Sequence, residues 1–223
     1  MKAILLFSLL LMFGCSTGET DTTVEDTASG IEPTESEASV NDKARFLWRE
    51  QVYDTDLRDS VSMIVIDQTL ADKLTDAERA ALGYVVTFIG SECDWDGKAN
   101  EEFSNLKCKA LSALELGYQC SDQHLSFLQN WFRNDQDVLK RLAACPRVPY
   151  TASNQQTFDE VYLTTQSDTI QVWFRASGMN VPSNTAWKWT EQNVFSVQDG
   201  AINLVSADKS EVVKSELGFG EGL

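Results

Sequence analysis

The chain is poor in the residues from which nucleic-acid sites and most metal sites are built. It has one histidine, and 18 lysines and arginines stand against 34 aspartates and glutamates, which gives a formal net charge of -16. Nucleic-acid binding depends on basic side chains that neutralise phosphates, and no basic run occurs in the sequence. A single histidine also excludes most histidine-based metal sites. We therefore expect no nucleic-acid partner.

The short motifs of common enzyme classes are missing as well. The sequence has no GxSxG, HExxH, P-loop or GxGxxG pattern, and none of its cysteines are spaced as CxxC. Ser121, Asp122 and His124 lie within one helical turn and so do not make a catalytic triad, whose members meet in space. We interpret His124 as a surface residue at a helix start. Nothing in the sequence favours an enzyme, although carboxylate-based glycan hydrolysis stays an alternative because acidic residues are frequent.

A long apolar run is also lacking, except for a short one near the amino terminus. Lys2 is followed by apolar residues from 3 to 13, interrupted by Ser8. A transmembrane helix needs about 20 such residues. A charged start, a short apolar segment and a small residue, Gly14, are instead typical of a secretory signal.

The stretch Leu11-Met12-Phe13-Gly14-Cys15 resembles the lipobox of bacterial lipoproteins. Gly14 fits the family pattern, whereas Met12 and Phe13 depart from it, and the resemblance covers residues 1–15 only. It implies that residues 1–14 are removed as a signal peptide and that the Cys15 thiol receives a diacylglycerol. The protein would then be anchored to the membrane of the cell envelope through its lipid, in the outer membrane if the host is Gram-negative.

Residues 15–41 are predicted to be a disordered, acidic tether. Residues 16–41 contain seven acidic residues and no lysine or arginine. Such a segment cannot bury enough apolar surface to offset the entropy of ordering. It would hold the folded part away from the membrane.

The remaining pattern predicts a single α+β domain over residues 42–205, helical in residues 42–145, with a flexible tail at 206–223. A first helix would carry Phe46, Leu47 and Trp48, while residues 62–67 fit either a strand or a buried helix. A capping box of Thr75 and Glu78 begins the next helix. Further helices are predicted over residues 99–116, 121–132 and 138–145, the first of them ended by Gly117.

Four cysteines in an exported chain predict two disulfides, and the four are Cys93, Cys108, Cys120 and Cys145. A continuous helix would separate Cys108 from Cys120 by about 18 Å, which is too far for a bridge. Two pairings remain open. We favour Cys93–Cys108 with Cys120–Cys145, because Cys108 lies off the apolar stripe of its helix and faces a loop more readily than the core.

Residues 157–205 predict a four- to five-stranded antiparallel sheet whose one face the helices cover. Residues 169–176 alternate between apolar and polar, and residues 157–164 are a plausible partner across a turn at 166–168. Asp199-Gly200 favours a two-residue hairpin turn. In residues 169–176 the apolar positions on one face are Ile170, Val172, Phe174 and Ala176. The turn would pair Val197 with Ile202 and Phe195 with Leu204, also on one face.

Three tryptophans of this sheet are candidate binding residues. Trp187 and Trp189 share one face of a strand, and Trp173 points away from the apolar face of its own strand. Exposed tryptophans stack on sugars or anchor protein partners. The simpler interpretation is that they belong to the core, because tryptophan buries a large apolar area.

The acidic stretch at residues 92–97 is the nearest approach to a metal site. Glu92, Asp94 and Asp96 precede Gly97, as carboxylates precede a sharp turn in calcium-binding loops. Phe103, however, occupies the position where such a loop needs a bidentate glutamate. A solvated acidic loop is the alternative, so calcium is the one cofactor the sequence suggests.

Together, these features favour a non-catalytic, lipid-anchored envelope protein that binds another protein or an envelope polymer. The first alternative is a module that binds a small ligand, either a sugar or calcium. The second is a carboxylate-based hydrolase of glycans.

Overall fold

One antiparallel sheet of seven strands organises the part of the chain described by the computed structural model, residues 43–89, 106–145 and 154–217. The strands are β1 (Ala44–Asp54), β2 (Asp59–Ile66), β3 (Asn154–Gln166), β4 (Thr169–Asn180), β5 (Thr185–Gln198), β6 (Ala201–Lys209) and β7 (Val213–Glu216). Their order is β2-β1-β3-β4-β5-β6, and β7 pairs with β5.

The helices of the described residues lie in the connection between β2 and β3. They are α1 (Gln68–Ala71), α2 (Asp76–Phe88), α3 (Leu106–Ala113), α4 (Asp122–Trp131) and α5 (Gln136–Ala144). α2 contacts β4, β5 and β6, and α4 contacts β6. The predicted α+β class is confirmed, but the sheet has more strands than the four or five expected, and the helices follow a hairpin instead of opening the domain.

Residues 44–66, which the sequence assigned to the helical part, form the β1–β2 hairpin. A bulge between Arg45 and Leu47 interrupts the alternation of β1, so that Phe46 and Leu47 are both buried. Two adjacent buried residues mimic the apolar stripe of a helix, which explains the wrong prediction. The ambiguous segment 62–67 falls mostly in β2.

The carboxyl-terminal hairpins have the predicted registers. β3 and β4 join through a turn after Gln166, and Ile170, Val172, Phe174 and Ala176 are all buried. β5 and β6 pair Val197 with Ile202 and Phe195 with Leu204. Asp199 and Gly200 both have positive φ, 51° and 66°, as the favoured two-residue turn requires.

Residues 206–216 are not the flexible tail that the sequence suggested. β6 continues to Lys209, and β7 then pairs with the first residues of β5. Ser210 bridges the gap between β6 and β7, because its amide donates to the Thr190 carbonyl and its Oγ accepts from the Thr190 amide at 3.0 Å. One edge of β5 is therefore shared by two short strands.

Local hydrogen bonds fix the ends of the helices. The capping box of α2 is present: the Glu78 amide donates to Thr75 Oγ1, and the Thr75 amide donates to Glu78 Oε2. Ser121 caps α4 as predicted. At the end of α3, Glu115, not Gly117, is the first residue with positive φ, 57°.

A disulfide joins Cys120, just before α4, to Cys145 at the end of α5, with the Cα atoms 6.0 Å apart. This half of the predicted connectivity is confirmed. Cys108 is disulfide-bonded as well, and Cys93 lies outside the described residues. The pairing of Cys93 with Cys108 therefore stays a prediction.

The chain divides into two units, Met1–Ala38 and Ser39–Leu223. The first unit lies outside the described residues, as do the signal peptide, Cys15 and the tether, so these stay predictions. Within the described ranges, no helix is both long enough and apolar enough to cross a membrane.

His124 is completely buried, which corrects its assignment to the surface. Its Nδ1 accepts from the Cys120 amide at 3.2 Å, so the ring proton is on Nε2, which donates to Thr87 Oγ1 at 2.9 Å. The Thr87 hydroxyl in turn donates to the Gly83 carbonyl at 2.6 Å. Burial, together with the positive charge of Lys107, lowers the pKa of His124 to about 4.

This geometry predicts that the protein loses stability in mild acid. The unfolded chain binds a proton on His124 below its ordinary pKa of 6.5, whereas the folded protein resists protonation down to about 4. The free energy of unfolding should therefore fall as the pH drops from 6.5 to about 4, by at most about 1.4 kcal/mol per pH unit. Urea unfolding across this range measures the effect.

The control for that measurement is His124→Gln, which keeps a donor and an acceptor but does not titrate. Carboxylates contribute to the pH dependence of both proteins, so the difference between the two slopes isolates the histidine. Parallel curves for the two proteins would contradict the expected role of His124.

Candidate functional site

A partly open cavity of about 480 Å³ lies between α2, α5 and the inner face of the sheet. This volume falls in the range of about 300–1,000 Å³ that is usual for small-molecule sites. The buried residues that line it are Tyr84, Val85, Ile89, Phe174, Trp189 and Asn193. The cavity thus has a largely aromatic floor with one polar amide.

The mouth of the cavity is cationic. Arg141 of α5, Lys209 at the end of β6 and Lys214 of β7 line it, and all three are exposed. Glu191 is the one carboxylate among the described lining residues. No ion pair joins any of the three cations to a described residue. In a chain of net charge -16, this is a local excess of positive charge.

Aromatic rings hold two of these cations in place. The Lys209 ammonium lies 4.7 Å from the centre of the Trp189 ring, and the Arg141 guanidinium lies 4.4 Å from the centre of the Phe88 ring. Arg141 also donates a short hydrogen bond to the Tyr84 hydroxyl. Cation–π contacts orient a charge without neutralising it. Both groups therefore keep their full charge at the mouth.

Tyr84 does not neutralise Arg141 either. Burial is the main cause that raises the pKa of Tyr84 to about 12, while the positive charge of Arg141 opposes the change and the negative charges of Asp135 and Glu191 add to it. The phenol is therefore protonated throughout the physiological range. It accepts from Arg141 as a neutral group.

The floor contains a polar atom without a partner. Trp189 is 7 % exposed, and its indole Nε1 makes no hydrogen bond within the described residues. A buried donor that is left unpaired costs about 1–3 kcal/mol. Nearby, the Asn193 amide donates to Glu191 Oε1 at 3.3 Å. The lining therefore offers an amide and a carboxylate for hydrogen bonding, beside a tryptophan whose indole N–H is buried.

Trp187 occupies its position because the residue opposite it is glycine. Gly178 pairs with Trp187 across β4 and β5, and a Cβ on Gly178 would overlap the indole ring. The ring thus lies directly over the backbone of β4. Trp187 is half-buried and Trp189 is buried, so the two tryptophans that the sequence placed on one face do come together at the cavity.

Trp173 lies on the opposite face of the sheet, as its position in β4 predicted. It packs against Tyr162 with the ring centres 5.5 Å apart. Arg45 lies over both Trp48 and Tyr162, at 5.0 and 5.7 Å from the ring centres, and pairs with Glu160 at 2.7 Å. We call Trp48, Tyr162 and Trp173 the outer aromatic surface.

The remaining predicted site residues are not tested by the structure. Glu92, Asp94 and Asp96 lie outside the described residues, so calcium stays a prediction. Among the residues that are described, no cluster of three or more histidine, cysteine or acidic side chains is arranged to hold a metal. Comparison of the chain with protein-family models, curated proteins and solved structures gave no match.

Sequence reasoning missed the cationic mouth. Arg141 and Lys209 each lie far along the chain from the tryptophans they accompany at the cavity, and Lys214 belongs to a strand that was not predicted. The one available signal was Lys214 itself, since it stands with Val213 and Ser215 in an alternating pattern. Four residues are too few for that pattern to be informative.

The packing of Trp187 over Gly178 predicts that Gly178→Ala displaces the indole. The added methyl should lower the free energy of unfolding by about 1–3 kcal/mol, since overpacking outweighs the smaller gain from a stiffer unfolded chain. The near-ultraviolet circular dichroism of the tryptophans should change with it. Met179→Ala, one residue along on the outer face, is the matched control. Equal spectra and equal stabilities for the two variants would contradict this packing.

Proposed function

We propose that this protein is a lipid-anchored accessory protein of the bacterial cell envelope that binds a small ligand in the cavity beside Trp187 and Trp189. The observation that carries the proposal is the cavity itself, with aromatic rings on its floor and three basic side chains at its mouth. Pockets that combine apolar walls with a few convergent polar groups are the usual form of small-molecule sites.

The anchoring part of the proposal rests on the amino-terminal sequence. The apolar run, Gly14 and Cys15 resemble a lipobox, and the acidic segment after them has the composition of a tether. A ligand-binding domain on such a tether samples the space close to the membrane. The cavity would therefore meet its ligand within the envelope.

Binding without chemical conversion is the function that the lining residues favour. Hydrolysis of a glycoside needs two carboxyl groups on either side of the scissile bond. The described lining contains one carboxylate, Glu191, and it already accepts a hydrogen bond from Asn193. Glu191 is therefore better suited to positioning a ligand than to proton transfer.

A protein partner at the outer aromatic surface is the second candidate function. Trp48, Tyr162 and Trp173 are only half-buried there and lie beside Arg45. Tryptophan, tyrosine and arginine are the residues most often found at the energetic centres of protein interfaces. This surface and the cavity lie on opposite faces of the sheet, so both can be occupied at once.

The cavity proposal predicts binding of 1-anilinonaphthalene-8-sulfonate, an aromatic anion whose fluorescence rises in apolar surroundings. The dye should bind the folded full-length protein, and Trp187→Ala should weaken its binding about tenfold because a stacking surface is lost. Trp173→Ala, on the other face, should leave dye binding unchanged. A fluorescence titration measures both variants.

Trp189→Phe is a second variant of the cavity floor and preserves most of its packing. Its dye binding, measured in the same titration, should also be weaker than that of the unaltered protein. Circular dichroism should first establish that each variant is folded, since the dye also binds loosely packed states. If Trp173→Ala weakens dye binding as much as Trp187→Ala does, the cavity is not the binding site.

The outer surface predicts a crosslink to a single partner. A photoreactive amino acid in place of Trp173 should capture one dominant protein in intact envelopes, because Trp173 lies beside Tyr162 and Arg45 in a surface of interface-like composition. The same photoreactive residue in place of Val205, which is 64 % exposed on β6, is the control. Identical crosslinked products from the two positions would argue against a specific partner.

A further inference from the structure

We infer that the ligand of the cavity is a saccharide that carries a carboxylate. The inference rests on the proposed function, since it names the chemical class that the same cavity would take. Three features of the cavity lead to it: the charge at the mouth, the ring surface within, and the amide and carboxylate of the lining.

The positive charge at the mouth of the cavity favours an anionic ligand. Arg141, Lys209 and Lys214 form no ion pair with a described residue, although acidic residues outnumber basic ones by 34 to 18 in the chain. Among the described lining residues these three cations stand against one carboxylate, Glu191. They are therefore placed to receive a negative group from a ligand through charge-assisted hydrogen bonds.

The ring surface suits the face of a sugar. Trp187 is half-buried and held over the backbone of Gly178, so its ring is fixed before any ligand arrives. The C–H groups of a pyranose face carry partial positive charge, and an aromatic face carries partial negative charge. Lys214 pairs with Trp187 across β5 and β7. A sugar ring stacked on Trp187 would therefore present its carboxylate to Lys214.

The floor favours a ligand with several hydroxyl groups. The Asn193 amide and the Glu191 carboxylate both lie in the lining and are hydrogen-bonded to each other. An aromatic acid would cover these groups without bonding to them, and each unpaired polar group would weaken binding. Sugar hydroxyls both donate and accept, so one ring can satisfy an N–H donor and a carboxylate acceptor together.

The test compares galacturonic acid with galactose, which differ in the carboxylate. Each is titrated calorimetrically into the full-length lipidated protein in detergent micelles. Galacturonic acid should bind at least about tenfold more tightly than galactose. The double variant Lys209→Ala/Lys214→Ala should remove most of this preference, read as the ratio of the two affinities measured in the same variant. Lys188→Ala, on the outer face of β5, is the matched control and should behave as the unaltered protein.

The other outcomes separate this inference from the proposed function. Equal affinities for galacturonic acid and galactose would overturn the role of the carboxylate and keep a sugar-binding cavity. Binding of phenylacetate or of the anilinonaphthalene dye, without binding of galacturonic acid, would overturn the saccharide and keep a small-ligand cavity. If none of these compounds binds, both the inference and the proposed function fail.

Discussion

The rest of the structure depends on the inner face of β4 and β5, which extends from the packed core at one end to the cavity at the other. At one end of β5, Phe195 packs against Tyr84 of α2 and Phe132 after α4, with ring centres 5.9 and 6.0 Å apart. Toward the other end the same strand carries Trp187 and Trp189, whose rings face the cavity. One hydrogen-bonded strand thus joins the closed core to the open site. Because the core fixes the strand, the tryptophans are held in place without a ligand.

Elements with a local physical cause could be predicted from the sequence, and elements that depend on distant contacts could not. The turn at Asp199-Gly200 and the capping box of α2 follow from short-range chemistry. The Cys120–Cys145 disulfide was favoured because one continuous helix would keep Cys108 away from Cys120 and because Cys108 lies off the apolar stripe of that helix. The first hairpin was missed because a bulge buries both Phe46 and Leu47 and so hides the period of a strand. His124 was assigned to the surface because its burial is caused by α2, which lies far from it in sequence.

A second bulge explains why the chemistry of the cavity is not readable from the sequence. The register of the β5–β6 hairpin, continued without interruption, would place Asp208 opposite Glu191. Val205 is an extra residue in β6, and it moves Lys209 to that position instead. The side chain facing the cavity thereby changes from an acid to a base. A single inserted residue decides the sign of the charge next to Trp189, and no local sequence pattern predicts this insertion.

The contrast between an acidic chain and a cationic cavity also limits what can bind there. Charges in solution are screened over about 8 Å at physiological ionic strength, so a ligand inside the cavity would interact mainly with the charged residues that line it, Arg141, Lys209, Lys214 and Glu191. A large polyanion, by contrast, extends over the rest of a surface whose net charge is negative and is repelled there. A short anionic group that enters the cavity gains the local attraction without that repulsion. If the cavity binds a ligand as proposed, this distribution of charge would favour small anions, or the end of a chain, over extended polyanions.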